Sequence, residues 1–179
     1  MTRYALVETA WGLVAFSVGP GGLRRLLLPG LRHDQLLGWI RDDGSNPVHE
    51  PGLWLPFQKK LKRYFDGGGV HFDEQIDLIN CTPFFASVYQ RCRQVRRGQA
   101  ISYGALARVV GRPRAARAVG VALSRNPCPL VVPCHRVVAA DGSLGGFSAS
   151  GGVLLKRRML ALEGWVGLAG ASDSAGDRQ

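Results

Sequence analysis

Pro133-Cys134-His135-Arg136, within the run Asn126-Pro127-Cys128-Pro129-Leu130-Val131-Val132-Pro133-Cys134-His135-Arg136-Val137-Val138, sets a thiol beside an imidazole. The thiolate is the attacking form of cysteine, and a neighbouring base is one way to generate it at neutral pH. By itself the dipeptide fits a buried cysteine packing as a small hydrophobe equally well. Successive side chains of an extended segment point apart, so a direct bond between Cys134 and His135 is expected to be strained. Three further residues stand in short strings at fixed distances from Cys134. They are Tyr103 in Ile101-Ser102-Tyr103-Gly104-Ala105-Leu106-Ala107, Arg117 in Arg114-Ala115-Ala116-Arg117-Ala118-Val119-Gly120, and Glu163 in Leu162-Glu163-Gly164. As residues alone, Tyr103 reads as a core aromatic at a helix start and Glu163 as a surface acid at a helix end.

The elements that must position these groups fall into two sets. Tyr4 to Glu8, Leu13 to Val18 and Leu23 to Leu28 are short apolar runs separated by turn residues, which predicts an antiparallel meander. Helices are predicted near 33–42 and 53–65, the second with Leu53, Phe57, Leu61 and Tyr64 or Phe65 on one face, and a closing strand over His71 to Leu78. Residues 1–79 therefore read as a small α/β support domain, an antiparallel sheet with helices. Residues 80–166 read as a mainly helical domain. Thr82 caps a helix with Pro83 at its first position, and an apolar stripe of Phe84, Phe85, Val88 and Val95 carries it towards Arg97-Gly98. Ser102 caps a second helix to about Val110, Gly111-Arg112-Pro113 breaks it, and a third runs from Arg114 to Ser124. Two short helices across a glycine-containing turn make a helix-turn-helix. A last helix over Gly152 to Leu162 follows a glycine-rich loop, and residues 167–179 are expected to form a disordered tail.

Charge is concentrated in one segment. Between Leu78 and Ala140 lie ten arginines (91, 93, 96, 97, 108, 112, 114, 117, 125 and 136) and no Asp or Glu, which leaves 13 of the 23 basic residues to face all 13 acids elsewhere. A polyanionic partner is the inference, since clustered Arg neutralises phosphate and binds it through paired hydrogen bonds. The third helix adds Ala115, Ala116, Ala118, Gly120 and Ala122, small side chains that let a backbone approach a groove closely, or another helix on its opposite face. Four cysteines without a Cys-x-x-Cys pair or a matching His cluster predict no structural zinc site and no disulfide framework. The first residues carry no signal-peptide pattern and no apolar run reaches membrane-spanning length. The expectation is a protein of the bacterial cytoplasm or nucleoid, with no membrane partner.

Taken in order, Ile101 to Ala107, Arg114 to Gly120, Pro133 to Val138, Gly151-Gly152, Lys156 and Leu162-Glu163-Gly164 resemble the O6-alkylguanine-DNA alkyltransferases, densely over residues 80–164 and loosely before them. The resemblance implies a single-turnover methyltransferase that flips an O6-alkylguanine out of double-stranded DNA and moves the alkyl group irreversibly to Cys134, without cofactor or metal. It implies His135 as the base, acting through a bridging water, with Glu163 orienting the other ring nitrogen. Tyr103 would crowd the neighbouring phosphate and donate to a ring nitrogen of the guanine, and Arg117 would fill the gap left by the flipped nucleotide. Arg114, Ala115, Ala116 and Arg125 would join them at the DNA. Backbone groups of Cys134, Val137 and Ser148 would read the guanine, while Asn126 would tie the helix to the cysteine segment. Arg136 is expected to be structural, a buried ion pair or carbonyl clamp. The loop Gly145-Gly146-Phe147-Ser148-Ala149-Ser150-Gly151-Gly152 departs from the family pattern: Phe147 stands where many members have Tyr, and Ala149-Ser150 are additional. A monomer is expected, with several copies along one duplex left open. The rival readings are a DNA-binding or lesion-sensing module without chemistry, which leaves Cys134 unexplained, and a cysteine hydrolase, which leaves the arginines unexplained.

Overall fold

The computed structural model describes residues 1–41 and 46–167; apart from Gly167, the expected disordered tail lies outside the described residues. Strands β1 (Arg3–Thr9), β2 (Gly12–Gly19) and β3 (Gly22–Leu27) form the expected meander, followed by α1 (His33–Arg41), β4 (Val48–His49) and α2 (Leu55–Phe65). The sheet order is β3-β2-β1-β4, with β1 and β2 paired from Arg3↔Val18 to Thr9↔Gly12 and β4 added parallel to β1. All of Val14 to Val18 is buried because β2 is covered on both faces. Val14, Phe16 and Val18 point into the main core beneath α2, and Ala15 joins Tyr4, Leu36 and Ile40 beneath α1, the period-2 alternation sorting them. Gly22 closes the β2–β3 turn at φ 115°, and a Cβ there would sit 2.4 Å from the Gln75 carbonyl oxygen, so only glycine fits.

One expectation for this half is corrected, and the two-residue β4 is an addition to the expected elements. The closing strand over His71 to Leu78 is absent: the segment meets β3 at a single bridge, Leu23↔Ile76, with Leu23 N–H donating to Gln75 O and Asp77 N–H to Leu23 O, both at 2.8 Å. Two of its acids pair with α2, where Lys60 meets Asp73 and, at 2.7 Å, Glu74, while Asp77 lies 3.8 Å from Arg24 of β3.

The second half comprises α3 (Pro83–Cys92), β5 (Ile101–Ser102), α4 (Tyr103–Val109), α5 (Ala116–Ser124), a 3-10 turn (Cys134–Arg136), β6 (Val137–Val138) and α6 (Gly152–Leu162). Thr82 Oγ1 accepts from Phe85 N–H at 3.2 Å and Ser102 Oγ from Ala105 N–H at 3.1 Å, so both expected caps form. α3 stops at Cys92, short of Arg97, and α5 starts at Ala116, two residues after Arg114. The Tyr89 hydroxyl of α3 donates to the Ala122 carbonyl of α5 at 2.9 Å, a buried bond that fixes α5 on its support. Parallel pairing of Ile101 with Val137 and Ser102 with Val138 brings the start of α4 beside the cysteine turn. One continuous core cluster draws on both halves, from Ala5 and Phe16 to Val119 and Met159. No helix among the described residues is long and apolar enough to cross a membrane.

Candidate active site

Cys134 is placed by a backbone that has few alternatives. Pro127, Pro129 and Pro133 restrict it, Leu130 is held at φ 73°, a region rare for side chains other than glycine, and Val132 N–H donates back to Cys128 O at 2.8 Å. Asn126 staples this loop: its Nδ2 donates to Val132 O at 2.8 Å and to Cys134 Sγ at 3.1 Å, while its Oδ1 accepts from Cys128 N–H at 3.0 Å. The cysteine segment is a 3-10 turn rather than the extended segment expected, because Arg136 N–H reaches Pro133 O at 2.9 Å. Cys134 is 8% exposed. Burial pushes its pKa up, and the Asn126 bond, the Lys156 charge and backbone N–H groups offset that only in part. It therefore stays protonated at neutral pH and needs a base.

His135 and Glu163 supply the arrangement for one. Both are buried; His135 Nε2 lies 2.8 Å from Glu163 Oε1, and His135 Nδ1 is buried with no hydrogen-bond partner among the described residues. Burial pushes the imidazole pKa below its ordinary value against the opposing pull of Glu163, so the ring is neutral at pH 7. With Nε2 as donor to the carboxylate, Nδ1 is the nitrogen with a lone pair to accept a proton. Glu163 is no surface acid. Arg136 grips it side-on, Nε to Oε2 at 2.8 Å and Nη2 to Oε1 at 2.9 Å, and Nη1 donates to Val95 O at 2.6 Å. Arg136 is thus both the ion pair and the carbonyl clamp. Burial would raise the Glu163 pKa, but hydrogen bonds and charge from His135 and Arg136 overcome it and hold the carboxyl well below the usual carboxylate range.

Two residues of this centre had no role in the reading of the sequence. The Tyr64 hydroxyl of α2 donates to Glu163 Oε1 at 2.9 Å. Lys156 of α6 is fully buried, donates to Val137 O at 2.6 Å and Leu144 O at 2.5 Å, and sits 5.8 Å from the Tyr103 ring centre; burial lowers its pKa to about 8. A lysine on the apolar face that α6 shares among Leu155, Met159 and Leu160 was the available signal for the second. Tyr64 had none beyond being a tyrosine on an apolar face.

Above Cys134 opens a cleft of about 410 Å³ lined by Tyr103, Gly120, Leu123, Ser124, Cys134 and the loop residues Gly146, Phe147 and Ser148. Gly120 and Gly145 flank the Tyr103 ring, a Cβ on Gly145 reaching 3.6 Å from its hydroxyl. A second cleft, of about 500 Å³, shares Cys134, Phe147 and Ser148 with the first and extends between Leu26 to Leu28, Leu31 and Trp39 on one side and Asn126, Pro129, Ala149 and Ser150 on the other. The two additional loop residues are therefore part of its wall. Val137 is in neither wall; it is fully buried, its N–H bonded to Cys134 O and its carbonyl to Lys156. On α5, Val119, Ala122 and Leu123 face inward, Arg117, Ala118 and Val121 are exposed, and Ala115 and Ala116 are half-buried. Arg114 is exposed just before the helix, and Arg125, also exposed, lies at its end with its guanidinium 6.0 Å from the Phe85 ring centre.

Comparison with known proteins places this geometry. Residues 83–165 match the family model described as 6-O-methylguanine DNA methyltransferase, DNA binding domain. The methylated-DNA–protein-cysteine methyltransferase of Metallosphaera sedula is 48% identical over 106 residues, 59% of this chain and 65% of that protein. Its namesake in Salmonella typhimurium is 40% identical over 144 residues, 80% of this chain and 77% of that one. Among solved structures, Mycobacterium tuberculosis OGT in complex with DNA superposes with a TM-score of 0.75 at 32% identity, covering 90% of this chain and 92% of that one. The O6-methylguanine-DNA methyltransferase of Pyrococcus kodakaraensis superposes with a TM-score of 0.69 at 29% identity, over 92% and 99%. By sequence over most of its length and by fold, the chain belongs to the methylated-DNA–protein-cysteine methyltransferase family.

Proposed function

We propose that this protein reverses alkylation of guanine O6 in duplex DNA by taking the alkyl group onto Cys134. The observation that carries the reading is a buried thiol lining a cleft, beside a buried imidazole whose Nε2 is fixed by a buried carboxylate. In the displacement, Sγ forms a bond to the alkyl carbon as the carbon–O6 bond breaks. The thiol proton passes, through a bridging water, to His135 Nδ1, and the electron pair departs on guanine. Tyr103, lining the cleft, donates a hydrogen bond from its hydroxyl to a ring nitrogen of the leaving base, and the thiol proton taken up by His135 is finally returned to guanine. Substrate and thiol account for every atom, so no methyl donor enters. A thioether is not hydrolysed back to a thiol, so each molecule acts once.

The approach to DNA rests on α4 and α5, which we read as the helix-turn-helix. The small side chains of Ala115, Ala116 and Ala118 would let α5 approach a groove, and the exposed Arg117 would fill the gap left by a nucleotide leaving the stack. Arg114 and Arg125 flank it for phosphate contacts, and Asn126 joins this helix to the thiol. The second cleft supports a place for the remainder of a longer alkyl chain, since it is mainly apolar and opens onto Sγ. One copy carries every site residue, which favours a monomer acting in the reducing cytoplasm, where thiols persist.

The test is intact-protein mass after incubation with a duplex containing one O6-methylguanine, followed by peptide mapping. One added CH2 on the Cys134 peptide, saturating at one per protein and absent from Cys134→Ala, is expected. Lesion binding without any mass gain would make the chain a recognition module.

A further inference from the structure

We infer that Tyr64, from the opposite half of the chain, is a positioning residue for the His135–Glu163 relay; this rests on the function proposed above. Glu163 Oε1 is crowded, receiving His135 Nε2 at 2.8 Å, Arg136 Nη2 at 2.9 Å and the Tyr64 hydroxyl at 2.9 Å, while Oε2 receives Arg136 Nε at 2.8 Å. The carboxylate is already satisfied by Arg136 and His135, so Tyr64 is not needed to pay for burying it. Nor does packing require a hydroxyl at this place. The Tyr64 ring is edge-on to Phe65 at 5.2 Å and packs against Phe72 at 5.8 Å, an environment that phenylalanine would fill equally well. What the hydroxyl adds is a third donor on the oxygen that faces the imidazole.

That donor has two effects. It helps hold the carboxylate turned towards His135, and it draws electron density from the oxygen that meets the imidazole, which weakens that oxygen's hold on a proton at Nε2. The geometry is locked from outside by Arg97, whose guanidinium lies 5.7 Å from the Tyr64 ring centre. Arg97 donates to Gly67 O and Gly68 O, both at 3.1 Å, and to Leu162 O at 2.8 Å, tying the end of α2 to the residue before Glu163. The charged and titratable groups around the relay are therefore Lys156 on α6 and Glu163 at its end, Cys134 and Arg136 in the 3-10 turn, Arg97 after α3 and Tyr64 on α2.

The experiment compares wild type with Tyr64→Phe and with 3-fluorotyrosine at position 64, a stronger donor. Single-turnover transfer to Cys134 is measured from pH 5 to 9, and the His135 Nε2 proton resonance at pH 7. Losing the donor strengthens the acceptor, so in Tyr64→Phe the acid limb of the rate profile should move to higher pH by about half a unit to one unit, and the Nε2 proton should shift downfield. Fluorotyrosine should move both the other way, and it keeps the test valid where Tyr64→Phe unfolds. An unmoved limb and resonance in the folded variants would reduce Tyr64 to packing. A wild type that transfers no alkyl group would sink the proposed function instead, while the resonance still decides the Tyr64 link to His135.

Discussion

Cys134 and His135 are each shifted away from charge by burial, the thiol upward and the imidazole downward, so at pH 7 the pair rests as neutral thiol and neutral base. Transfer should then be nearly constant from neutrality to mildly alkaline pH and fall as acid protonates His135, below its ordinary value of 6.5. Single-turnover rates on a methylated duplex across pH 5 to 8.5 check this; a rate rising tenfold per unit through neutrality would mean that free thiolate attacks without the base. His135→Asn should lower the plateau by about 10²–10⁴-fold and leave duplex affinity unchanged. Glu163 offers a stability test with a definite sign. Its folded pKa is depressed below 4.5, so the stabilisation it gives is complete above that pH and is lost as pH falls towards the folded value. Glu163→Gln leaves the Arg136 guanidinium buried without its counter-charge and should cost about 3–5 kcal/mol at pH 7 by urea unfolding, with less acid sensitivity below pH 4.5 than wild type.

At the level of elements, α5 serves two masters. Its inward face of Val119, Ala122 and Leu123 packs on α3 and α4, and its outward face presents Arg117. If Arg117 occupies the gap left by an extruded nucleotide, Arg117→Ala should slow repair in duplex DNA much more than reaction with a free O6-alkylguanine analogue, because only the duplex must be opened. Equal slowing of both reactions would remove that role. Such elements were legible because their signals are local: alternation for β1 to β3, the Thr82 and Ser102 caps, and Pro83 at the first turn of α3. What escaped depends on chain that is distant. β4 is two residues long and pairs with the edge of β1, and His71 to Leu78 meets β3 at one bridge alone. The same holds at the site. Cys134 and His135 stand out by type, but Glu163 at a helix end looks exposed until Arg136 is seen folded against it, and the Tyr64 hydroxyl finds its acceptor 99 residues away.

For the whole molecule, the acid-free segment of ten arginines is less uniform than its composition implies. Arg136 is buried on Glu163, Arg97 clamps α2 to α6, and Arg93 donates to Glu74 O at 3.0 Å, so these three hold the two halves and the site together. Arg91, Arg96, Arg108, Arg112, Arg114, Arg117 and Arg125 are exposed. Only this second group can exchange counterions with DNA, and the residues that flank α5 are best placed to do so. Affinity of Cys134→Ala for a lesion-free duplex should thus fall with salt, each neutralised phosphate contributing about −0.9 to the log–log slope. Fluorescence anisotropy between 50 and 200 mM salt measures it. Arg114→Ala and Arg125→Ala should each flatten the slope by about one unit if each guanidinium meets a phosphate, whereas Arg93→Ala should leave the slope alone and lower the melting temperature. A slope that is insensitive to Arg114 and Arg125 would move the DNA face away from α5, and with it the cleft that opens beside that helix.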